Sequence, residues 1–161
     1  MFEFVEYIKQ YIQERFNSDK DFSSAKTPKV LDAYQVNHEI SSTRPEIQVH
    51  ILDNNENGVF TSFCGKNANN IPLQITAYSG QMKIAGKDRN AKHSSIILGD
   101  KLEKMMYELI YSRENDSYYN KNIYSGRATT TSPPIPINDG GTIYATAIRF
   151  DFTVASPYVV D

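Results

Sequence analysis

Apolar and polar positions alternate most regularly near the end of the chain. From Tyr144 onward, Tyr144, Thr146, Ile148, Phe150, Phe152 and Val154 fall on one side, and Ala145, Ala147, Arg149, Asp151 and Thr153 on the other. A period of two predicts a long strand with one dry face and one small or charged face. Aromatic and β-branched residues dominate the dry side, as a pleated surface prefers. Pro157 has no amide to give a ladder and is expected to end the strand.

Two stretches follow the helical period instead. Val5, Ile8, Ile12 and Phe16 recur at spacings of three and four, with Phe4 and Tyr11 widening the stripe, so Phe2 to Phe16 reads as an amphipathic helix. Glu3 and Glu6 in its first turn and Arg15 in its last suit the helix dipole. The second stripe, Ile97, Leu98, Leu102, Met105, Met106, Leu109 and Ile110, predicts a helix capped at Ser94 or Ser95 and running to about Arg113. Gly99 lowers its propensity slightly.

Between the helices, Ile47, Val49 and Ile51 alternate with Gln48, His50 and Leu52 after Pro45. The turn-rich run Asp53 to Gly58 predicts that Val59 to Phe63 returns antiparallel as the second arm of a hairpin. A polar break at 65–70 precedes Ile71 to Tyr78, which completes a three-strand meander. Residues 18–29 read as a loop ending in Thr27-Pro28, and 30–40 as either a short strand around Ala33 to Val36 or an irregular crossing. Residues 79–94 form a hydrophilic stretch and 114–121 a polar tether. Ile123 to Thr131 is the next strand, Pro133 to Pro136 an extended loop, and Asn138 to Gly141 a tight turn into the last strand. The order helix, three strands, helix, two strands predicts an α+β fold: an antiparallel (mixed) sheet with two amphipathic helices packed on it.

The length of 161 residues fits one domain, 1–161, and the 22% charged content is that of an ordinary globular chain. A net charge of -2 gives no global attraction to nucleic acid or anionic membrane. No apolar run reaches the roughly 20 residues of a membrane span, and the N-terminus lacks a secretory pattern. Cys64 is the single cysteine, which excludes an internal disulfide and a cysteine metal cage. It reads as a small hydrophobe, having no basic neighbour except Lys66.

Catalytic signatures are missing. His38, His50 and His93 have no partner at ligand spacing, and His50 belongs to the Gln48 face of its strand. There is no G-x-S-x-G, P-loop or G-x-G-x-x-G run. Asp53 and Glu56 belong to an Asn-rich turn, where solvated carboxylates are ordinary. Met105, Met106, Tyr107 and Tyr111 read as helix packing before any cofactor box. The expectation is a protein that is not an enzyme and needs no cofactor or metal. Lys83, Lys87, Arg89 and Lys92, with His93, are the one local charge concentration. They read as a solvated loop or as a flexible arm that contacts an acidic partner or a phosphate backbone. No aromatic residues interleave them, so a base-stacking platform is not indicated.

The order of elements, with G-G-T-I-Y-A-T-A-I-R-F-D-F-T-V as the closing strand, F-E-F-V-E-Y-I-K-Q-Y-I as the first helix and P-E-I-Q-V-H-I-L as the first strand, resembles the tail terminator (tail completion) proteins of tailed bacteriophages and related contractile particles. The likeness covers nearly the whole layout and rests on no invariant motif. It implies a virion protein, assembled in the host cytoplasm and placed at the head-proximal tail end. It would cap the tail tube as a ring, usually a hexamer, stop tube polymerisation and present a surface to the neck or head-closure protein. In a contractile tail it would also meet the sheath. The small and charged face, Ala145, Ala147, Arg149 and Asp151, is then the expected subunit interface. The basic stretch would grip the tube or face DNA passing through the lumen. The alternatives are another head–tail connector (head-closure or tail-adaptor), a nucleic-acid-binding module using residues 83–92, and a small ligand-binding or enzymatic α+β domain.

Overall fold

The computed structural model describes residues 2–32, 39–52, 60–63, 66–111 and 123–155. Helix α1 spans Phe2–Asn17 and α2 spans Ala91–Tyr111. The strands are β1 (Lys29–Asp32), β2 (Glu46–Ile51), β3 (Phe60–Phe63), β4 (Lys66–Ser79), β5 (Met82–Ile84), β6 (Lys87–Arg89), β7 (Ile123–Thr131), β8 (Ile135–Pro136) and β9 (Tyr144–Ala155). All but β5 and β6 join one mixed sheet whose main order is β1-β2-β4-β9-β7. The architecture is α+β, as the periodicities predict.

Two long strands form the spine. β4 and β9 pair antiparallel without a break from Ala68↔Ala155 to Ser79↔Tyr144. Each is flanked on its far side by two shorter strands in succession. Along β4 these are β2, opposite Leu73 to Tyr78, and β3, opposite Lys66 to Asn69. Along β9 they are β7, opposite Ile148 to Val154, and β8, opposite Tyr144 and Ala145.

The meander expected from the sequence is therefore not formed. β2 and β3 both run antiparallel to β4 on the same edge, so they lie one after the other and do not face each other as hairpin arms. Pro72 gives the physical reason for the change of partner. Its carbonyl accepts the Leu52 amide at 3.0 Å, so Pro72 faces the β2 side, where its missing N–H leaves no donor to continue that ladder. On its other side Pro72 still sits opposite Asp151 without interrupting β4 and β9. The turn residues 53–58, Cys64, His38 and Pro157 lie outside the described residues.

Both helices pack on the same face. Phe4 of α1 meets Phe152 edge-on at 5.3 Å, and Tyr107 of α2 meets Phe150 at 5.2 Å. Ile148, Phe150, Phe152 and Val154 are buried, as are Ile47, Val49, Leu73 and Ile75 from the neighbouring strands, so the facing read from the alternation is the observed one. The helix stripes are also as read. Phe4, Val5, Ile8, Tyr11, Ile12 and Phe16 are buried from α1, and Leu98, Leu102, Met105, Met106 and Leu109 from α2. Gly99 is explained by packing, because a Cβ there would stand 2.9 Å from Thr146 Cγ2, so its absence brings α2 close to the strand. Thr146, the one polar side chain well inside the dry run, donates to Ser95 Oγ at 3.1 Å, and Ser95 donates to Lys92 O at 2.8 Å. The buried hydroxyls thus satisfy one another.

α2 begins three to four residues before the expected Ser94 or Ser95. Asn90 caps it, its Oδ1 accepting the His93 amide at 2.7 Å. Residues 79–94 also hold structure that hydrophilicity concealed. β5 and β6 pair as a hairpin through Ala85 and Gly86, both at positive φ (52° and 76°), the backbone of a tight two-residue turn. Met82 and Ile84 anchor it in the core. β1 adds parallel to β2 and takes up the start of the 30–40 stretch left undecided by sequence, while Ala33 to Val36 lie outside the described residues.

Candidate assembly surface

With α1 and α2 on one face, the opposite face of the sheet has no helix over it among the described residues. Alternation fixes what it carries. Ala145, Ala147, Arg149 and Asp151 of β9 lie opposite Tyr78, Thr76, Gln74 and Pro72 of β4. β2 continues the rows with Glu46, Gln48 and His50, and β7 contributes Arg127 opposite Asp151. The four interface residues named from the sequence thus share one surface at the middle of the sheet. β9 has neighbours on both sides, so a partner can cover them face-on and cannot reach them by strand addition.

The end of this face around Ala145, Ala147 and Thr76 carries small or uncharged side chains. Thr76 and Pro72 are buried between their neighbours, and Ala145 and Ala147 are half-buried. Charge lies farther along β9 and on the neighbouring strands. Arg149 Nε lies 3.3 Å from Asp151 Oδ1, and the same carboxylate has Arg127 across the ladder. On the β2 side Gln48 Nε2 donates to Glu46 Oε2 at 2.7 Å. Burial, followed by the nearby Glu46 charge, raises the pKa of the Tyr78 phenol. His50 is half-buried opposite Gln74, and its burial lowers its pKa, which holds the imidazole neutral near pH 7. Sequence reasoning missed the contribution of Gln48, Pro72, Gln74, Thr76 and Tyr78. Their alternation was legible, but the pairing of β4 with β9 that lines them up was not.

The basic residues are placed differently. In the β5–β6 hairpin Lys83 pairs with Asp88 on one face, while Lys87 and Arg89 pair with Ile84 and Met82 on the other. Lys92 is exposed in the first turn of α2. The four cations are held by a ladder and a helix, and they do not form one continuous face. Tyr111 also departs from its expected packing role. It is 75% exposed and rests only one flank on Tyr107, the rings nearly parallel at 6.3 Å.

A concavity of about 270 Å³ between α1 and β1 is lined by Glu6, Lys9, Gln10, Gln13 and Val30. Lys9 is paired with Glu6 at 2.9 Å, and Gln13 is committed to the β1 backbone through Pro28 O and Val30 N, each at 3.0 Å. Among the described residues there is no group of three or more His, Cys, Asp or Glu placed to hold a metal ion, and no helix is long and apolar enough to cross a membrane.

No model of a known protein family matches the chain, and no curated protein matches it in sequence.

Proposed function

We propose that this chain is a virion assembly protein of the tail-terminator kind, which caps the end of a phage-type tail tube as a ring and acts by surface complementarity without catalysis. The observation that supports the reading is the one-sided sheet. Both amphipathic helices cover one face of the β4–β9 spine, and the other has small or uncharged side chains around Ala145, Ala147 and Thr76, with Arg149 and Asp151 farther along β9. The uncharged part of such a face suits burial against protein, since little polar desolvation has to be offset there. Copies meeting head to tail through unlike surfaces close into a ring when the rotation allows it. The tube, the neck or head-closure protein and, in a contractile tail, the sheath are the partners this role requires.

The test is the mass of the protein in solution, by light scattering across salt concentrations, with negative-stain imaging of the same sample. A ring with a central hole is expected. A strict monomer at every concentration and salt would remove the assembly reading. A ring that binds a portal-side protein and not tube ends would favour a head-closure or tail-adaptor role.

A further inference from the structure

The large apolar side chains that stand out into solvent among the described residues are Ile135 (53% exposed), Ile137 (39%) and Tyr111 (75%). They make two separate patches of different chemistry. The first is a ridge, Pro133-Pro134-Ile135-Pro136-Ile137. Its shape is fixed from both ends. Ile135 and Pro136 pair with Ala145 and Tyr144, and the Ile137 amide donates to Ile143 O at 3.0 Å. Behind it, Asn138 Oδ1 accepts the Thr142 and Ile143 amides at 3.0 and 3.3 Å, and Gly141 supplies the positive φ of 62° that closes the turn. Three prolines leave few amides to desolvate and little conformational freedom to lose on binding.

The second patch is a shelf made by the parallel rings of Tyr107 and Tyr111. The shelf is itself fixed, because Tyr107 packs on Phe150 at 5.2 Å and its hydroxyl accepts the Ala128 amide at 3.3 Å. Five strand residues, roughly 16 Å, separate Ala145 at the ridge from Phe150 under the shelf, and Tyr111 lies a helical turn farther on. Ile135 shares the open face with Ala145, its cross-strand partner, whereas the tyrosines stand on the helix side. One copy therefore cannot bring its own ridge to its own shelf.

We propose that the prolyl-isoleucyl ridge of one copy docks on the Tyr107–Tyr111 shelf of the next, as the head-to-tail contact of the ring. Extended proline-rich segments are bound by flat aromatic walls, which stack on the pyrrolidine rings and take the intervening aliphatic side chain. The two surfaces are unlike, as a contact that propagates around a ring requires, and each is presented in a set conformation before binding. This inference rests on the assembly reading above and names the surfaces that carry it.

Two variants test it together: a ridge variant, Ile135→Asp with Ile137→Asp, and a shelf variant, Tyr111→Asp. All three positions are exposed, and unchanged thermal melting verifies that the fold is kept. Each variant alone is expected to lose the ring, with an apparent dissociation constant raised at least tenfold. An equimolar mixture restores one intact ridge facing one intact shelf and is expected to give a one-to-one dimer and nothing larger. Wild-type rings with unchanged rings from either variant would overturn the contact while leaving the assembly reading in place. So would a mixture that stays monomeric. A wild type that never assembles would overturn both.

Discussion

Gln13 stands where one residue of a neighbouring parallel strand would stand beside Lys29. Its Oε1 accepts the Val30 amide and its Nε2 donates to Pro28 O, each at 3.0 Å. These are the outward groups on either side of Lys29, whose own amide turns inward to Pro45 O at 3.1 Å. An unpaired edge invites another chain, and proteins commonly blunt it. Here a helix side chain closes the edge with the same two bonds a strand would make. Gln13→Leu removes both and leaves a part-buried donor and acceptor unmatched, at an expected cost of about 1–3 kcal/mol. Urea unfolding measures the loss, and amide exchange at Val30 should accelerate more than at Val49. Equal protection at Val30 in the variant would refute the edge role.

Gly126 and Gly80 are both close-approach glycines, but their neighbours differ in what they can yield. A Cβ on Gly126 would lie 2.5 Å from Ile110 Cδ1 and 3.0 Å from Phe150 Cε1, the far ends of side chains. Gly126→Ala should cost about 1–3 kcal/mol, the usual range for overpacking, and Ile110→Val should recover part of it. On Gly80 the clash is with the Ser42 carbonyl oxygen at 2.2 Å, which is backbone. Gly80→Ala is therefore expected to be the more damaging change, and no single side-chain trimming should rescue it. Thermal melts of the two variants and the double mutant decide the point.

Lys101 ties α2 to the segment after α1. Its Nζ lies 2.7 Å from both Asp19 Oδ2 and Asp21 Oδ2, above the Phe22 ring at 5.5 Å. Burial lowers its pKa, but hydrogen bonds and charge from Asp19 and Asp21 outweigh that, and the net shift is upward from 10.5. A raised lysine pKa stabilises the fold fully below the unfolded value, and this contribution is lost as pH rises through the folded one. Lys101→Met should cost about 1–2 kcal/mol at neutral pH. The gap from wild type should narrow above about pH 10.5. A gap that stayed constant into the alkaline range would show that the ammonium charge is not its source.

The start of α2 contains a conflict that mutation can expose from both sides. Asn90 caps the helix, yet its first turn has no acidic residue and carries Lys92 and His93 at the positive end of the dipole. Asn90→Ala should destabilise by about 1 kcal/mol. Lys92→Glu, at an exposed position, should stabilise by about 0.3–1 kcal/mol. Chemical denaturation of the two variants should show opposite signs, and a destabilising Lys92→Glu would mean that Lys92 has an attractive partner in the folded chain.

What was legible in the sequence tracks the length and purity of each periodic run. β9 alternates over a dozen residues and α1 repeats its stripe over four turns, so their facing could be read directly. The β5–β6 hairpin could not, because three-residue strands give Met82 and Ile84 as the only apolar alternation among lysines. Its turn signal, Ala85-Gly86, is weaker than Asn-Gly. Asn90 lay outside the expected cap because Ser94 and Ser95 are equally good cap types, and only their burial, Ser95 against Thr146, tells them apart. Partner choice was the least readable property. Whether β3 returns along β2 or continues beyond it depends on which edge of β4 is vacant, a tertiary matter in which Pro72 is the one local clue. The four-residue row on the candidate surface was visible in β9, while the neighbours that make it a surface belong to β4, β2 and β7.

The tandem placement of β2 and β3 has a practical consequence. Each is aligned by its own ladder on β4, so the connection between them carries no alignment information. Extending such a connection costs closure entropy that grows only logarithmically with length. A short reporter peptide inserted between Asp53 and Val59 should therefore leave Ile47 and Leu73 where they are. It would give a tagged subunit with which to count copies in a single particle.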